Sequence, residues 1–252
     1  MIEQTVGQLG LFVAAGVVGG AVNSAAGGAK LFVFPMLLAA GLPPVVANVT
    51  STISLWPAQL PALLIYRRDF AGDARALLMQ MAPALVGALL GALALIWSSE
   101  AAFMAAIPAL LTISVVAIVL GKHLATLMQR VFPGDWLRSA TGALLFGTGF
   151  YGGYFGAGLG FMLIAVLSVA GGIGLHKANA SKNLFAFCMN TTAVIPLALS
   201  GLVEWTAAAG VLLGGMLGGY LGARLIRKIP EHLLRGAVAV LGVGLTASFL
   251  LR

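Results

Sequence analysis

The chain has 252 residues, 60% of them hydrophobic and only 8% charged, with a formal net charge of +7. No water-soluble core of this size buries so much apolar surface, so lipid is the expected solvent. The seven acidic residues (Glu3, Asp69, Asp73, Glu100, Asp135, Glu204, Glu231) fall in or beside breaks between apolar runs, and the basic ones gather at run ends, where cytoplasm and anionic headgroups explain them better than nucleic acid does.

Backbone amides inside hydrocarbon must pair within the protein, which leaves helices or a closed barrel. Runs such as 77–97 and 101–120 have the roughly 20 residues of a spanning helix and lack the alternation of barrel strands. In chain order the apolar segments are 9–26, 31–40, 45–65, 77–97, 101–120, 137–155, 161–173, 183–200, 207–225 and 233–250. The first has only Glu3 before it and no basic region, so it is expected to stay as a span rather than be cleaved. The second and seventh are too short to cross and each follows a glycine-rich break, as half-helices of re-entrant hairpins would. Cys188 is the sole cysteine, so no intramolecular disulfide forms.

Internal repetition organises these segments. Ala47-Asn48-Val49-Thr50 matches Ala178-Asn179-Ala180-Ser181 at an offset of 131; Gly87–Ala92 aligns with Gly218–Ala223 at the same offset, and Gly19-Gly20 with Gly152-Gly153 at 133. Arg67, Arg68 and Arg75 mark one loop as cytoplasmic, Glu100 lies across the membrane, and Lys122, Arg130 and Arg138 return the chain inside. In the second half His176, Lys177 and Lys182 fall inside, Glu204 outside, and Arg224, Arg227, Lys228 and Arg235 inside; Arg252 alone runs against this count. Equivalent loops thus face opposite sides. The expected fold is an all-α, polytopic helical membrane protein of two inverted repeats, each a glycine-broken hairpin of half-helices plus three spans. Repeat one covers about 8–121, a linker about 122–136 and repeat two about 137–252.

The first hairpin reads Gly19 to Lys30, with Asn23, Ser24, Gly27 and Gly28 ahead of the lysine and a half-helix interrupted at Pro35 behind it. Glycine pairs free the backbone, and the next half-helix then offers unpaired N–H groups and the positive end of its dipole to an anion. Lys30 sits at that point without a nearby acidic residue in sequence, where an ammonium is costly unless an anion or water meets it; a lysine snorkelling to a headgroup is the plainer alternative. The second break, Gly152 to Gly160, carries five glycines in nine positions, Gly158 and Gly160 among them, and no lysine. Asn48, Thr50, Ser51 and Thr52 open the long span of one half, and Asn179, Ser181, Lys182 and Asn183 that of the other. Such side chains replace water around a polar solute, or cap and glue helices. Trp56-Pro57 and Pro61 are expected to kink the span, and Asn190, Thr191 and Thr192 to glue helices together.

Enzyme signatures are absent. His123, His176 and His232 have no spaced carboxylate or cysteine partner, and no carboxylate lies within a span to relay protons. Neither a metal nor any other cofactor is expected. The expected partners are a small anionic substrate and the lipid bilayer, with homo-oligomerisation left open.

These motifs resemble the sulfite exporter TauE/SafE family, also called the toluene-sulfonate uptake permease family. The resemblance rests on Gly19-Gly20 through Gly27-Gly28, Pro35, Gly41-Leu42-Pro43-Pro44, Ala47 to Ser51, and Gly171 to Ser181. It implies a multi-pass carrier of the bacterial cytoplasmic membrane for sulfite, sulfoacetate or other sulfonates. Lys30 departs from the family's glycine run, so substrate choice does not carry over. On this reading the chain is a secondary anion transporter working by alternating access, with Asn23, Ser24, Gly27, Gly28, Lys30, Asn48, Thr50, Gly158, Gly160, Asn179 and Ser181 at the substrate. A non-transport membrane subunit, an intramembrane enzyme and an anion channel are the alternatives.

Overall fold

The computed structural model describes residues 2–26, 28–60, 63, 74–131, 134–170, 175–225, 236, 240 and 243–244. Among them every regular element is helical: α1 Ile2–Ala26, α2 Lys30–Ala39, α3 Pro44–Leu55, one 3-10 turn Pro57–Gln59, α4 Ala74–Trp97, α5 Glu100–Val131, α6 Gly134–Tyr154, α7 Leu159–Ala170, α8 Leu175–Leu199 and α9 Trp205–Leu225. Met79–Trp97, Glu100–Gly121 and Ser181–Leu199 are long and apolar enough to cross a membrane. At 1.5 Å per residue α2 and α7 reach about 15 and 18 Å, roughly half the hydrocarbon core. Of the stretch 122–136, residues up to Val131 continue α5 and Gly134 already opens α6. The last segment, 233–250, apart from residues 236, 240 and 243–244, and the loop of Arg67 and Arg68 lie outside the described residues.

Local chemistry explains the short elements. Gly41, at φ 92°, ends α2 in a Schellman motif: Leu42 N–H bonds the Leu37 carbonyl and Gly41 N–H the Leu38 carbonyl. Pro43 and Pro44 then launch α3, since a proline at the first helical position loses no hydrogen bond. Pro35, expected to interrupt α2, lies inside a continuous helix. At the other end of α3 the 3-10 turn begins at Pro57, one residue after Trp56. Pro61 lies outside the described residues.

Two close helix pairs dominate the packing, α1 with α9 and α4 with α6. In the first, a Cβ added to Gly16 or Gly20 would sit 2.2 Å from the Val211 or Gly215 carbonyl oxygen, and one on Gly214 or Gly218 2.0 Å from that of Val13 or Val17. In the second, Gly149 and Gly153 meet the Ala84 and Ala88 carbonyls at 2.1 and 2.0 Å, and Gly87 and Gly91 meet those of Phe146 and Phe150 at 2.2 and 2.1 Å. Both are glycine crossings in which backbone touches backbone. An offset of 133 on α1 and 127 on α9 maps each of these eight residues and its partner onto the other pair. Gly87 therefore corresponds to Gly214, one helical turn from the alignment at 131. Gly19 and Gly152, also 133 apart, make the matching approaches to α2 and α7: a Cβ would lie 2.4 Å from Val33 and 3.1 Å from Leu159 respectively.

Large side chains such as Trp97, Leu199 and Met216 stay exposed on the outer faces, as lipid-facing residues do. Phe34, Phe103 and Phe155 are fully buried and pack edge-on or tilted, with Phe34 and Phe155 centroids 5.4 Å apart. Phe155 belongs to the second glycine-rich break and Phe34 to α2, so that break packs directly against the first half-helix.

Candidate functional site

The site begins where α1 turns back. Gly28 takes φ 84°, a left-handed conformation that costs glycine little, and Lys30 follows two residues later in the first turn of α2. No side chain caps this helix, and among the described residues its first backbone bonds run from the Leu31, Phe32 and Val33 amides to the Gly28 and Ala29 carbonyls. Lys30 is only 7% exposed. Its ammonium donates to Thr52 Oγ1 on α3 and lies 5.7 Å from the centroid of the Phe155 ring. Among the described residues no carboxylate lies within ion-pair distance of it.

Helical periodicity assigns the polar residues of α3 to different neighbours. Asn48 and Thr52 are one turn apart and share a face, whereas Thr50 points elsewhere. Thr52 Oγ1 accepts from Lys30 and donates to the Asn48 carbonyl at 2.8 Å; Ser51 Oγ donates to the same carbonyl at 2.8 Å. Asn48 Nδ2 donates to the Tyr154 carbonyl at 2.8 Å, at the end of α6. That bond fixes the amide, because only its NH2 can donate to a carbonyl. Asn48 Oδ1 is consequently left buried without a hydrogen-bond partner among the described residues. Lys30 and Asn48 thus converge on consecutive residues, the Phe155 ring and the Tyr154 carbonyl.

Thr50 serves another purpose. Its fully buried Oγ1 accepts from Glu204 N–H at 3.1 Å, tying the loop before α9 to α3, while Glu100 carboxylate accepts from Val45 N–H at 2.8 Å at the start of the same helix. The acidic loops 98–100 and 200–204 both dock on α3. Trp56 Nε1 donates to Thr191 Oγ1 at 2.9 Å, so Thr191 does join α3 to α8, whereas Thr192 bonds within its own helix to the Cys188 carbonyl.

The second break is pinned by Tyr151, whose hydroxyl donates to the Ala157 carbonyl at 2.7 Å and lies 2.6 Å from Ser114 Oγ. Gly156 and Gly158 take φ 78° and 71°, and Gly158 packs against α5 at Ser114. Gly160, in the first turn of α7, lies beside Lys182 of α8: a Cβ there would be 3.9 Å from the lysine Cδ. Ser181 is buried. Asn23 is half-buried near the end of α1. Gly27 and the side chains of Ser24 and Asn179 lie outside the described residues.

The structure therefore brings together Gly28, Lys30 and Asn48 from the expected set and turns Thr50 away from them. Thr52 and Phe155 join them as further residues of the site, whereas Lys182 lies beside Gly160 at the start of α7. Thr52 carried a legible signal, its i+4 relation to Asn48. The roles of Phe155 and of the Tyr154 carbonyl had none, since they arise from packing between distant segments. Among the described residues no group of three or more His, Cys, Asp or Glu could hold a metal ion.

The profile of the family described as sulfite exporter TauE/SafE matches residues 12–249. A "Probable membrane transporter protein" of Haemophilus influenzae is 26% identical over 95% of this chain and 93% of its own length. "Probable membrane transporter protein YfcA" of Escherichia coli K12 is 27% identical over 96% of this chain and 89% of its own, and "Probable membrane transporter protein ORF9" of Sinorhizobium sp is 27% identical over 95% and 91%. No solved structure matches the chain.

Proposed function

We propose, on the premise that the chain belongs to the sulfite exporter TauE/SafE family and is a membrane transporter, that it is a secondary carrier of sulfite, sulfoacetate, other sulfonates or related organic anions across the cytoplasmic membrane. The observation that carries this reading is Lys30. A lysine in the first turn of a helix stands at the positive end of the dipole, where cations are disfavoured and anions favoured. Burial adds desolvation, and the neighbours available to Lys30 are a hydroxyl and an aromatic face. An anionic guest removes both costs. An oxyanion suits the site because it accepts several N–H and O–H donors at once without a bidentate arginine.

The two equivalent glycine crossings support a duplicated architecture, and the charge pattern supports opposite orientations of its halves. In this reading α1–α5 and α6 onward are inverted repeats that rock about the hairpins for alternating access, with Gly158, Gly160, Asn179 and Ser181 as the second half's contribution. The test is thermal melting of the detergent-purified protein against sulfite, sulfate, thiosulfate, sulfonates and carboxylates. A ligand at a hundred times its dissociation constant adds about 2.7 kcal/mol to the folded state. We expect a selective rise for at least one anion, and its loss in Lys30→Ala with the folded state retained. A flat panel, or a shift that survives in Lys30→Ala, overturns the assignment.

A further inference from the structure

The site holds unused hydrogen-bonding capacity of both kinds, and the two kinds together specify more than a negative charge. Lys30 donates to Thr52 and has two further N–H donors on the same ammonium. Asn48, 0% exposed, has its NH2 committed to the Tyr154 carbonyl, so its Oδ1 is an acceptor in fixed orientation with no donor among the described residues. The nearby hydroxyls do not fill it. Those of Ser51 and Thr52 both donate to the Asn48 backbone carbonyl, at 2.8 Å each. Leaving a buried acceptor unmet costs about 1–3 kcal/mol, a cost that a matching ligand would recover on binding.

A bare oxyanion offers only acceptors. It answers Lys30 and the uncapped start of α2, but it cannot answer Asn48 Oδ1 and would add lone-pair repulsion there. A sodium ion would answer Oδ1 but is repelled by the neighbouring ammonium. The group that complements both is an anion carrying its own O–H or N–H.

We propose that the preferred substrate is a hydrogen-bond-donating anion, a hydroxy-substituted sulfonate or carboxylate or an oxyanion retaining an acidic proton, with Asn48 Oδ1 as the acceptor that selects it. This rests on the anion-carrier reading above and names the substrate class of that same site. Asn48 is then a specificity residue, whereas Lys30 binds any anion that enters.

The experiment compares matched pairs on the purified full chain: isethionate against ethanesulfonate, and glycolate against acetate, by titration calorimetry and melting. Within each pair the charge is equal and the size nearly so. We expect the hydroxylated member of at least one pair to bind about tenfold or more tightly than its parent, because a site built to bond a substrate hydroxyl discriminates strongly against the analogue lacking it. In Asn48→Ala that advantage should collapse to within about twofold, with the parent anion still bound, which also reports that the variant is folded. Equal affinities in wild-type protein overturn the inference even if Asn48→Ala fails to fold. A hydroxyl preference that survives in folded Asn48→Ala also overturns it. Failure of all four anions to bind overturns the inference, and overturns the carrier reading too if sulfite, sulfate and thiosulfate also leave the melting temperature unchanged, whereas equal binding of parent and hydroxylated members that is lost in Lys30→Ala refutes the donor requirement alone.

Discussion

The helix crossings and the hairpins of this protein treat repetition differently. At the crossings, the four glycine–carbonyl approaches of α1 and α9 are matched by four between α6 and α4, down to which glycine faces which carbonyl. At the hairpins, one lysine lies between the half-helix and the helix that follows it in each case, but it comes from opposite sides. Lys30 starts α2 and reaches Thr52 on α3; Lys182 is on α8 and lies along Gly160 at the start of α7. Both pairs are 22 residues apart. Backbone-to-backbone packing tolerates no side chain, and the two crossings share one pattern. The space beside a half-helix start tolerates many side chains, and there the two regions differ.

The crossings give the largest effect. In Gly20→Ala and Gly153→Ala the new methyl would stand 2.2 and 2.0 Å from a backbone carbonyl oxygen, so helices, not rotamers, must move. Overpacking of even yielding cores costs about 1–3 kcal/mol, and these should exceed it. Both variants should lose most of their monodisperse yield and melt at similarly lowered temperatures. Gly147→Ala on α6, where nothing lies within 4 Å, should match wild type or improve slightly on it. If one crossing tolerated the methyl and the other did not, the equivalence would fail.

The hairpins come next. Lys30→Ala should reduce anion binding by roughly a hundredfold or more, as expected when a buried charge loses its role in a complex. Lys182 is half-buried, so Lys182→Gln should cost less, about tenfold in transport rate or affinity, in line with one charge-assisted hydrogen bond. Counterflow in proteoliposomes separates the two readings of Lys182. Unchanged flux would leave the second lysine as packing along Gly160, and the functional asymmetry would then rest on the first hairpin alone.

Much of this was legible in advance because hydrophobic length and glycine breaks are local signals. The starts of α2, α4 and α5 fall within three residues of the expected segments. The start of α8 was less visible. The helix begins at Leu175, eight residues before the apolar run does, because its first two turns are polar: His176, Lys177, Asn179, Ser181 and Lys182. Repeat register was legible only modulo a turn. Small residues recur every four positions in Gly87-Ala88-Leu89-Leu90-Gly91 and in Gly214 to Gly222, so offsets of 127 and 131 both align glycines, and only the carbonyl contacts separate them. At the site, residue types are readable from the sequence, but faces need the helix phase: Asn48 and Thr50 are near neighbours in sequence, yet two positions along a helix is more than half a turn.

That last point yields the smallest effect and the sharpest separation of roles along one helix. Thr50 and Asn48 are both completely buried, but Thr50 Oγ1 holds the Glu204 N–H of the loop before α9, while Asn48 holds the end of α6 beside Lys30. Thr50→Val keeps the shape and removes the hydroxyl that accepts from Glu204, freeing a half-buried amide that water can partly reach. The cost should be about 1 kcal/mol of stability, read as a lowered melting temperature. Anion affinity should stay within about twofold of wild type, since a net hydrogen bond outside the site adds nothing to the ligand's contacts. A Thr50→Val protein of normal stability with weakened anion binding would put Thr50 back at the substrate and would mean that the loop carrying Glu204 forms part of the binding site.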